Sequence, residues 1–205
     1  MLYYKNRYGD ASRHKDGLLK LIDDNIIEGL HNTDGEDGKR TSQYFHKEHS
    51  DHPDLSILLK YIEMYTPHAA HVLAGNTGSR YSNADYKEFH NMRGCNHMGG
   101  AYNFQPTDQN KRSNFRITQC WGNRFNKGQG VMKHNHFPYT MSFSYYVNLP
   151  EGSPSIIIND EPVDIDEGMM LFFPSAYMHS VPNSNIDNRT AIIGNILYYY
   201  DESRI

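Results

Sequence analysis

The sequence predicts a mainly β domain flanked by α-helices, and three observations carry that expectation. From Phe115 onward the chain breaks into short runs of β-branched and aromatic residues separated by clusters of Pro, Gly, Asn and Asp, the pattern of antiparallel strands joined by tight turns. The N-terminal part holds two stretches whose apolar residues recur at helical spacing. At 205 residues the chain is long enough for one domain with a substantial core and too short for two large ones.

Taken in order, the chain starts Met-Leu-Tyr-Tyr-Lys-Asn-Arg, without the apolar core of a signal peptide, and no later run is long enough to span a bilayer. The first helix is expected over His14 to Leu30, where Leu18, Leu21, Ile22, Asn25, Ile26 and Leu30 share one side and Ser12 or Asp16 is placed to cap the start. Gly29 and then Asn32-Thr33-Asp34-Gly35 end it in a polar loop. The second helix is expected from Asp54 to about Leu73 behind Pro53, with Leu55, Leu58, Leu59, Ile62 and Tyr65 on its apolar side and Pro67 as a kink or break. His46, His49, His52, His68 and His71 read as solvated or capping residues. His68 and His71 are close enough on a helix to share an ion, but spacing alone is a weak signal.

Between Gly75 and Arg112 no period survives, and Gly, Asn, Ser, Arg and Tyr dominate. This is an irregular loop, read either as a lid that contacts substrate or as a connection without chemistry. The expected organisation is therefore a single domain over 1–205, divided into a helical region to about residue 74, the irregular segment 75–112, and a β core over 113–200.

The first strand of the core is Phe115 to Trp121, whose alternation places Phe115, Ile117, Gln119 and Trp121 on one face, with Trp121 as a core residue. A flexible loop, Asn126 to Gly130, follows. Further strands are expected at Tyr139 to Leu149, Ser155 to Ile158, Met169 to Phe173 and Asn188 to Tyr200. The turns between them are marked by Pro150-Glu151-Gly152-Ser153-Pro154, Asn159-Asp160-Glu161-Pro162 and Asp166-Glu167-Gly168.

Within this region His134-Asn135-His136 places two imidazoles two residues apart, on the same face if the segment is extended. A sheet that folds back on itself can bring His179 beside them, giving three neutral imidazoles suited to a divalent transition metal. Arg189 follows, on the parity of Ala191 and Ile193. Taken singly, His134 and His136 are ordinary strand-surface histidines, His179 is a satisfied core imidazole, and Arg189 pairs with Asp187 or Glu167. The ordered combination is what points to a site.

That combination resembles the 2-oxoglutarate and Fe(II)-dependent oxygenases, most closely a group with a His-x-His metal motif. The matching pieces are His134-Asn135-His136, Ser142 with Tyr145-Tyr146, Pro150-Glu151-Gly152, Phe173-Pro174-Ser175 with His179, and Arg189, spanning about Phe115 to Leu197. The resemblance implies a double-stranded β-helix, or jelly-roll, core. It also implies Fe(II) held by His134, His136 and His179, and 2-oxoglutarate as cosubstrate. Arg189 is suited to the distal carboxylate of that diacid, since a guanidinium matches a carboxylate with a planar, charge-assisted fork. Ser142 and Tyr145 are candidate hydroxyl donors to it. Tyr145 is preferred over Tyr146 because it shares the parity of Phe143 and Val147, although parity leaves open which face is interior. In the wider superfamily the first motif is His-x-Asp or His-x-Glu. His136 stands where that carboxylate would be, so it is open as third ligand, as a neighbour supporting the ligands, or as a contact to substrate.

The implied activity is oxidation of a C–H bond, most often hydroxylation, using dioxygen and releasing succinate and CO2. The substrate is a small molecule or peptide that the sequence does not identify. Two alternatives stand beside it: a cupin-like three-histidine metalloenzyme that does not use 2-oxoglutarate, and a non-catalytic jelly-roll binding module. The net charge of -4 implies no broad attraction to nucleic acid or anionic membrane, though nucleic acid stays open as a substrate. Two cysteines, Cys95 and Cys120, without a CxxC pair argue against a disulfide framework or structural zinc and fit a reducing cytoplasm. No nucleophile elbow, phosphate-binding glycine loop or dinucleotide fingerprint is present.

Overall fold

A computed structural model describes residues 3–27, 38–74 and 114–199. The irregular segment 75–112 and the expected end of the first helix at Leu30 lie outside the described residues. In chain order the elements are β1 (Tyr4–Arg7), α1 (Ala11–Asp24), β2 (Lys39–Arg40), α2 (Phe45–Glu48), α3 (Pro53–Ala74), β3 (Phe115–Phe125) and β4 (Val131–His134). They continue with β5 (Met141–Asn148), β6 (Ile156–Ile158), β7 (Glu161–Val163), β8 (Met169–Pro174), β9 (His179–Val181) and β10 (Arg189–Tyr198).

The strands form two antiparallel sheets, one in the order β1-β8-β5-β10-β3-β2 and one in the order β4-β9-β6-β7. Four strands of the large sheet, β8, β5, β10 and β3, lie over the four of the small sheet, which is the jelly-roll arrangement. The layer between them is a cluster that includes Phe125, Tyr146, Leu171, Phe173 and Ala191 from the large sheet and Val131, Ile156, Ile158, Val163 and Val181 from the small one. A second cluster fills the outer face of the large sheet, where Leu18, Leu21, Ile22, Leu55, Leu58 and Ile62 of the helices meet Phe143, Tyr145, Val147, Met170 and Phe172. The large sheet is therefore buried on both faces, and β5 is buried at every position from Met141 to Val147.

Helix α1 starts at Ala11, before the expected position, so Ser12 and Asp16 lie inside it. Asp10 takes the N-cap place without a side-chain capping bond. Leu18, Leu21 and Ile22 are buried on the expected side. Ile22 sits where β3 has Gly122; a Cβ at that position would come within 2.7 Å of Ile22 Cγ1, so the glycine permits the close approach of helix and sheet. Helix α3 runs through Pro67 undivided, and beside the proline the Thr66 hydroxyl donates to the Ile62 carbonyl (2.8 Å). Two histidines expected at the surface are packed instead. His46 is buried, and His68 lies edge-on to Tyr4 with ring centroids 5.1 Å apart. None of the described helices is long and apolar enough to cross a membrane.

β2 and β9 are not among the expected strands, and β1, β7 and β3 also differ from expectation. β1 pairs with β8 from Tyr4↔Phe172 to Arg7↔Met169, a strand too short and mixed to be read from sequence. β7 begins at Glu161 inside the expected turn, because Asn159 and Asp160 both take positive φ (48° and 68°) and close a two-residue hairpin; Pro162 is tolerated there since β7 is an edge strand. β3 continues to Phe125 and carries an irregularity opposite Asn195/Ile196, where the partner steps from Gln119 to Ile117. The extra residue reverses the alternation. Phe115 and Ile117 thus belong to the helix side with Cys120, while Trp121 turns to the opposite face, so the single face expected for Phe115 through Trp121 does not exist.

Candidate metal centre

His134 is the last residue of β4, and His179, the first of β9, is its register partner. The chain leaves the strand after His134, so His136 reaches the same face through a turn rather than through strand alternation. That turn is held by the His136 backbone N–H, which donates to the Ser175 carbonyl (2.8 Å). Ser175 is fixed in turn. Its hydroxyl donates to Ser142 Oγ (2.8 Å), because the Ser142 proton is directed to Asn195 Oδ1 (2.9 Å), whose amide donates to Gln119 Oε1 (2.9 Å).

The three imidazoles converge. Their candidate ligand atoms all lie within 4.8 Å of one another, and this is the one such group of three or more among the described residues. The Nδ1–H of His134 donates to the Met132 carbonyl (2.8 Å) and that of His179 to the Tyr177 carbonyl (3.2 Å), which leaves Nε2 of each as the unprotonated nitrogen. His134 Nε2 and His136 Nε2 are 3.1 Å apart. Two metal–nitrogen bonds of about 2.1 Å at a right angle put their nitrogens about 3 Å apart, so this spacing matches two adjacent positions around one ion. His179 is 6% exposed. Burial, reinforced by His134 and His136, pushes its pKa down to about 3, so it presents the neutral, ligating form.

A narrow cavity of about 30 Å³ runs from the triad between the sheets, lined by Val131, Ile156, Val181 and Ile193, with Ser144, Tyr146 and Arg189 among its polar members. Arg189 is 2% exposed, stacked over the rings of Phe125 (5.7 Å) and Tyr146 (5.5 Å). Its Nε makes no hydrogen bond, and no carboxylate among the described residues pairs with it. Asp187 instead accepts from the Lys127 backbone N–H, and Glu167 pairs with Lys15. Burial therefore lowers the Arg189 pKa from its ordinary value, only partly offset by Tyr146.

Of the expected hydroxyl donors, Tyr145 lies on the wrong face: it packs under the helices with Tyr8, ring centroids 5.9 Å apart. The parity choice is thereby corrected, since Tyr146 and Ser144 line the cavity. Burial pushes the Tyr146 hydroxyl pKa up to about 12, so it stays a neutral donor. Ser142 is buried on the inner face but does not line the cavity; its connection to the site is through Ser175 and the His136 turn. Trp121, read from sequence as core packing, is buried against the site, its ring parallel to His136 (6.0 Å between centroids, 21°). The Tyr-Tyr doublet was a visible signal for Tyr146; nothing local announced Trp121.

Neither protein-family models nor curated protein sequences match this chain. Solved structures do. A collagen prolyl hydroxylase of Paramecium bursaria Chlorella virus-1, in complex with 2-oxoglutarate, aligns with a TM-score of 0.60 at 11% identity, covering 96% of this chain and 96% of that one. A prolyl-4-hydroxylase from Pseudomonas putida gives 0.57 at 10% identity over 95% and 91%. An oxidoreductase of the 2-oxoglutarate-Fe(II) oxygenase family from Burkholderia pseudomallei gives 0.54 at 11% over 97% and 85%. The chain thus has the fold of the 2-oxoglutarate/Fe(II) oxygenases, with a three-histidine candidate metal site inside it.

Proposed function

We propose that this protein is an oxygenase that couples hydroxylation of an organic substrate to conversion of 2-oxoglutarate into succinate and CO2, with Fe(II) held by His134, His136 and His179. The observation that carries this reading is Arg189, a buried guanidinium without an anionic partner among the described residues, set in the same cavity as three imidazoles poised to ligate. An unpaired buried cation is destabilising by several kcal/mol, and an anionic ligand is what removes that penalty. Three neutral imidazoles do nothing to offset the charge of a divalent ion, so the metal and Arg189 together ask for a dianion. A 2-oxo diacid supplies one, with a chelating end for the metal and a distal carboxylate for the guanidinium fork.

When bound, Fe(II) supplies the activation of dioxygen. The chain's own residues do the rest. The Nδ1–H bonds of His134 and His179 fix their rings and tautomers, and the Ser175–Ser142–Asn195 chain fixes the turn that presents His136. Arg189 and the Tyr146 hydroxyl orient the distal carboxylate, and Val131, Ile156, Val181 and Ile193 keep the cavity dry. Hydroxylation is the reaction class named for two of the similar structures; proline as substrate is not part of the proposal.

The all-imidazole donor set also suits a metalloenzyme that binds its substrate directly, without 2-oxoglutarate. One experiment separates the two. Anaerobic Fe(II) protein should bind one ion, lost on His134→Ala or His179→Ala, and should develop a weak visible metal-to-ligand charge-transfer band with 2-oxoglutarate that Arg189→Gln weakens. Iron binding without the band would favour the second reading. Unchanged iron stoichiometry in both alanine variants would remove these histidines from the site.

A further inference from the structure

The face of the large sheet that looks toward the triad does not stop at β3. β2 extends it, and Arg40 pairs in register with Asn123, which pairs with Ala191 of the cavity wall. Directly paired residues of an antiparallel ladder point to one side, and positions two apart along a strand share it. Arg40, Asn123 and Trp121 therefore lie on the inner face, one step toward the sheet edge from the cavity. The Arg40 Nε is shut off from solvent and makes no hydrogen bond, and no acidic residue among those described pairs with the guanidinium. The Trp121 indole N–H, on a side chain 4% exposed, is likewise buried without an acceptor. On the opposite face of the same strand Arg124 meets Asp23 at 2.6 Å. Among the described residues an acid meets that arginine and none meets Arg40.

A buried N–H group without an acceptor is destabilising, and here two of them lie on one sheet face, where Trp121 stacks on His136 and Arg40 stands opposite Asn123, two residues further along β3. We propose that Arg40 and the Trp121 indole N–H form a substrate-recognition subsite on the His136 side of the metal centre, and that the substrate carries an anionic oxygen group, a carboxylate or a phosphate, which docks there. The inference rests on the triad being the metal site. Both side chains only donate, so the matching group is one that only accepts, and guanidinium prefers an anion with two oxygens in a plane or on a tetrahedron. The subsite is separate from Arg189, which pairs with Phe125 in the neighbouring row of the sheet.

Trp121 is the chain's single tryptophan, so its emission reports on the subsite directly. The test is titration of the metal-free full-length protein with inorganic phosphate and, separately, acetate at constant ionic strength. A saturable change in emission is expected. It should persist in Arg189→Gln, and its midpoint should rise about tenfold or more in Arg40→Gln, the loss of one charge-assisted contact. Trp121→Phe keeps the ring and removes the N–H; followed by calorimetry, it should weaken binding about three- to tenfold. Whichever of the two anions binds more tightly names the group. The proposal is overturned if neither anion gives a saturable change, if Arg40→Gln binds as wild type does, or if binding disappears in Arg189→Gln. The charge-transfer band keeps the two readings apart: a band that depends on Arg189 without any Arg40-dependent anion binding refutes the subsite alone, and the reverse refutes only the use of 2-oxoglutarate.

Discussion

Replacing Arg189 with methionine should raise the stability of the ligand-free protein while removing its response to 2-oxoglutarate. The guanidinium is 2% exposed and has no anionic partner among the described residues, so folding takes a charge out of water without compensation from an ion pair there. Its contacts with the Phe125 and Tyr146 rings, at 5.7 and 5.5 Å, return about 0.5–2 kcal/mol each. Set against a burial penalty of several kcal/mol, the net change on substituting a flexible apolar side chain of similar length is about 1–3 kcal/mol in favour of the variant. For a chain of this size each kcal/mol moves the melting temperature by about 2–4 °C. Metal-loaded wild type at a hundred times its Kd for 2-oxoglutarate should gain about 2.7 kcal/mol, and the variant almost nothing. Thermal melts of both proteins, with and without the diacid under anaerobic conditions, measure all four numbers. A variant that melts several degrees below wild type without ligand would show that the guanidinium has an internal counterpart, and one that keeps the ligand-induced shift would remove Arg189 from the site.

Other expectations follow from particular contacts. Tyr146→Phe should weaken 2-oxoglutarate binding about three- to tenfold through loss of a neutral hydroxyl donor, while Tyr145→Phe leaves it unchanged; equal effects in a binding titration would contradict the facing assigned to the pair. Ser142→Ala should lower stability by about 1–3 kcal/mol in urea unfolding and reduce metal affinity, since the Ser175 and Asn195 groups lose their shared partner. Gly122→Ala should be destabilising by about 1–3 kcal/mol in the same assay, because the new methyl meets Ile22 at 2.7 Å and the helix has to move. Burial, with Lys47 adding to it, holds the His46 pKa below 6.5. The unfolded chain takes up a proton as pH falls through that value and the native state does not. Stability is therefore full above about pH 6.5 and declines below it, by up to about 1.4 kcal/mol per pH unit for this one group. His46→Gln should reduce that slope in urea midpoints measured between pH 5 and pH 7.5, leaving the part due to buried His179.

The parts of this protein readable from the chain alone are those governed by neighbours in sequence. Turn chemistry around Pro150–Pro154 and Asp166–Gly168 delimits strands that form within a residue or two of expectation, and the spacing of Leu18, Leu21 and Ile22 marks the buried side of α1. The identities and order of His134, His136, His179 and Arg189 are likewise sequence properties, and the proposed chemistry rests on them. What needed the tertiary structure is which way a residue faces when both sides of its strand are covered. β5 is buried from Met141 to Val147, so no polar and apolar alternation remains to say that Tyr146 meets the cavity and Tyr145 meets the helices. The irregularity at Thr118 reverses the parity of β3, carrying Trp121 to the side of the three histidines, and the register of β2, a strand of two residues, puts Arg40 on the same face opposite Asn123. Both depend on pairings between segments far apart in the chain, and such pairings leave no period in the sequence of either strand.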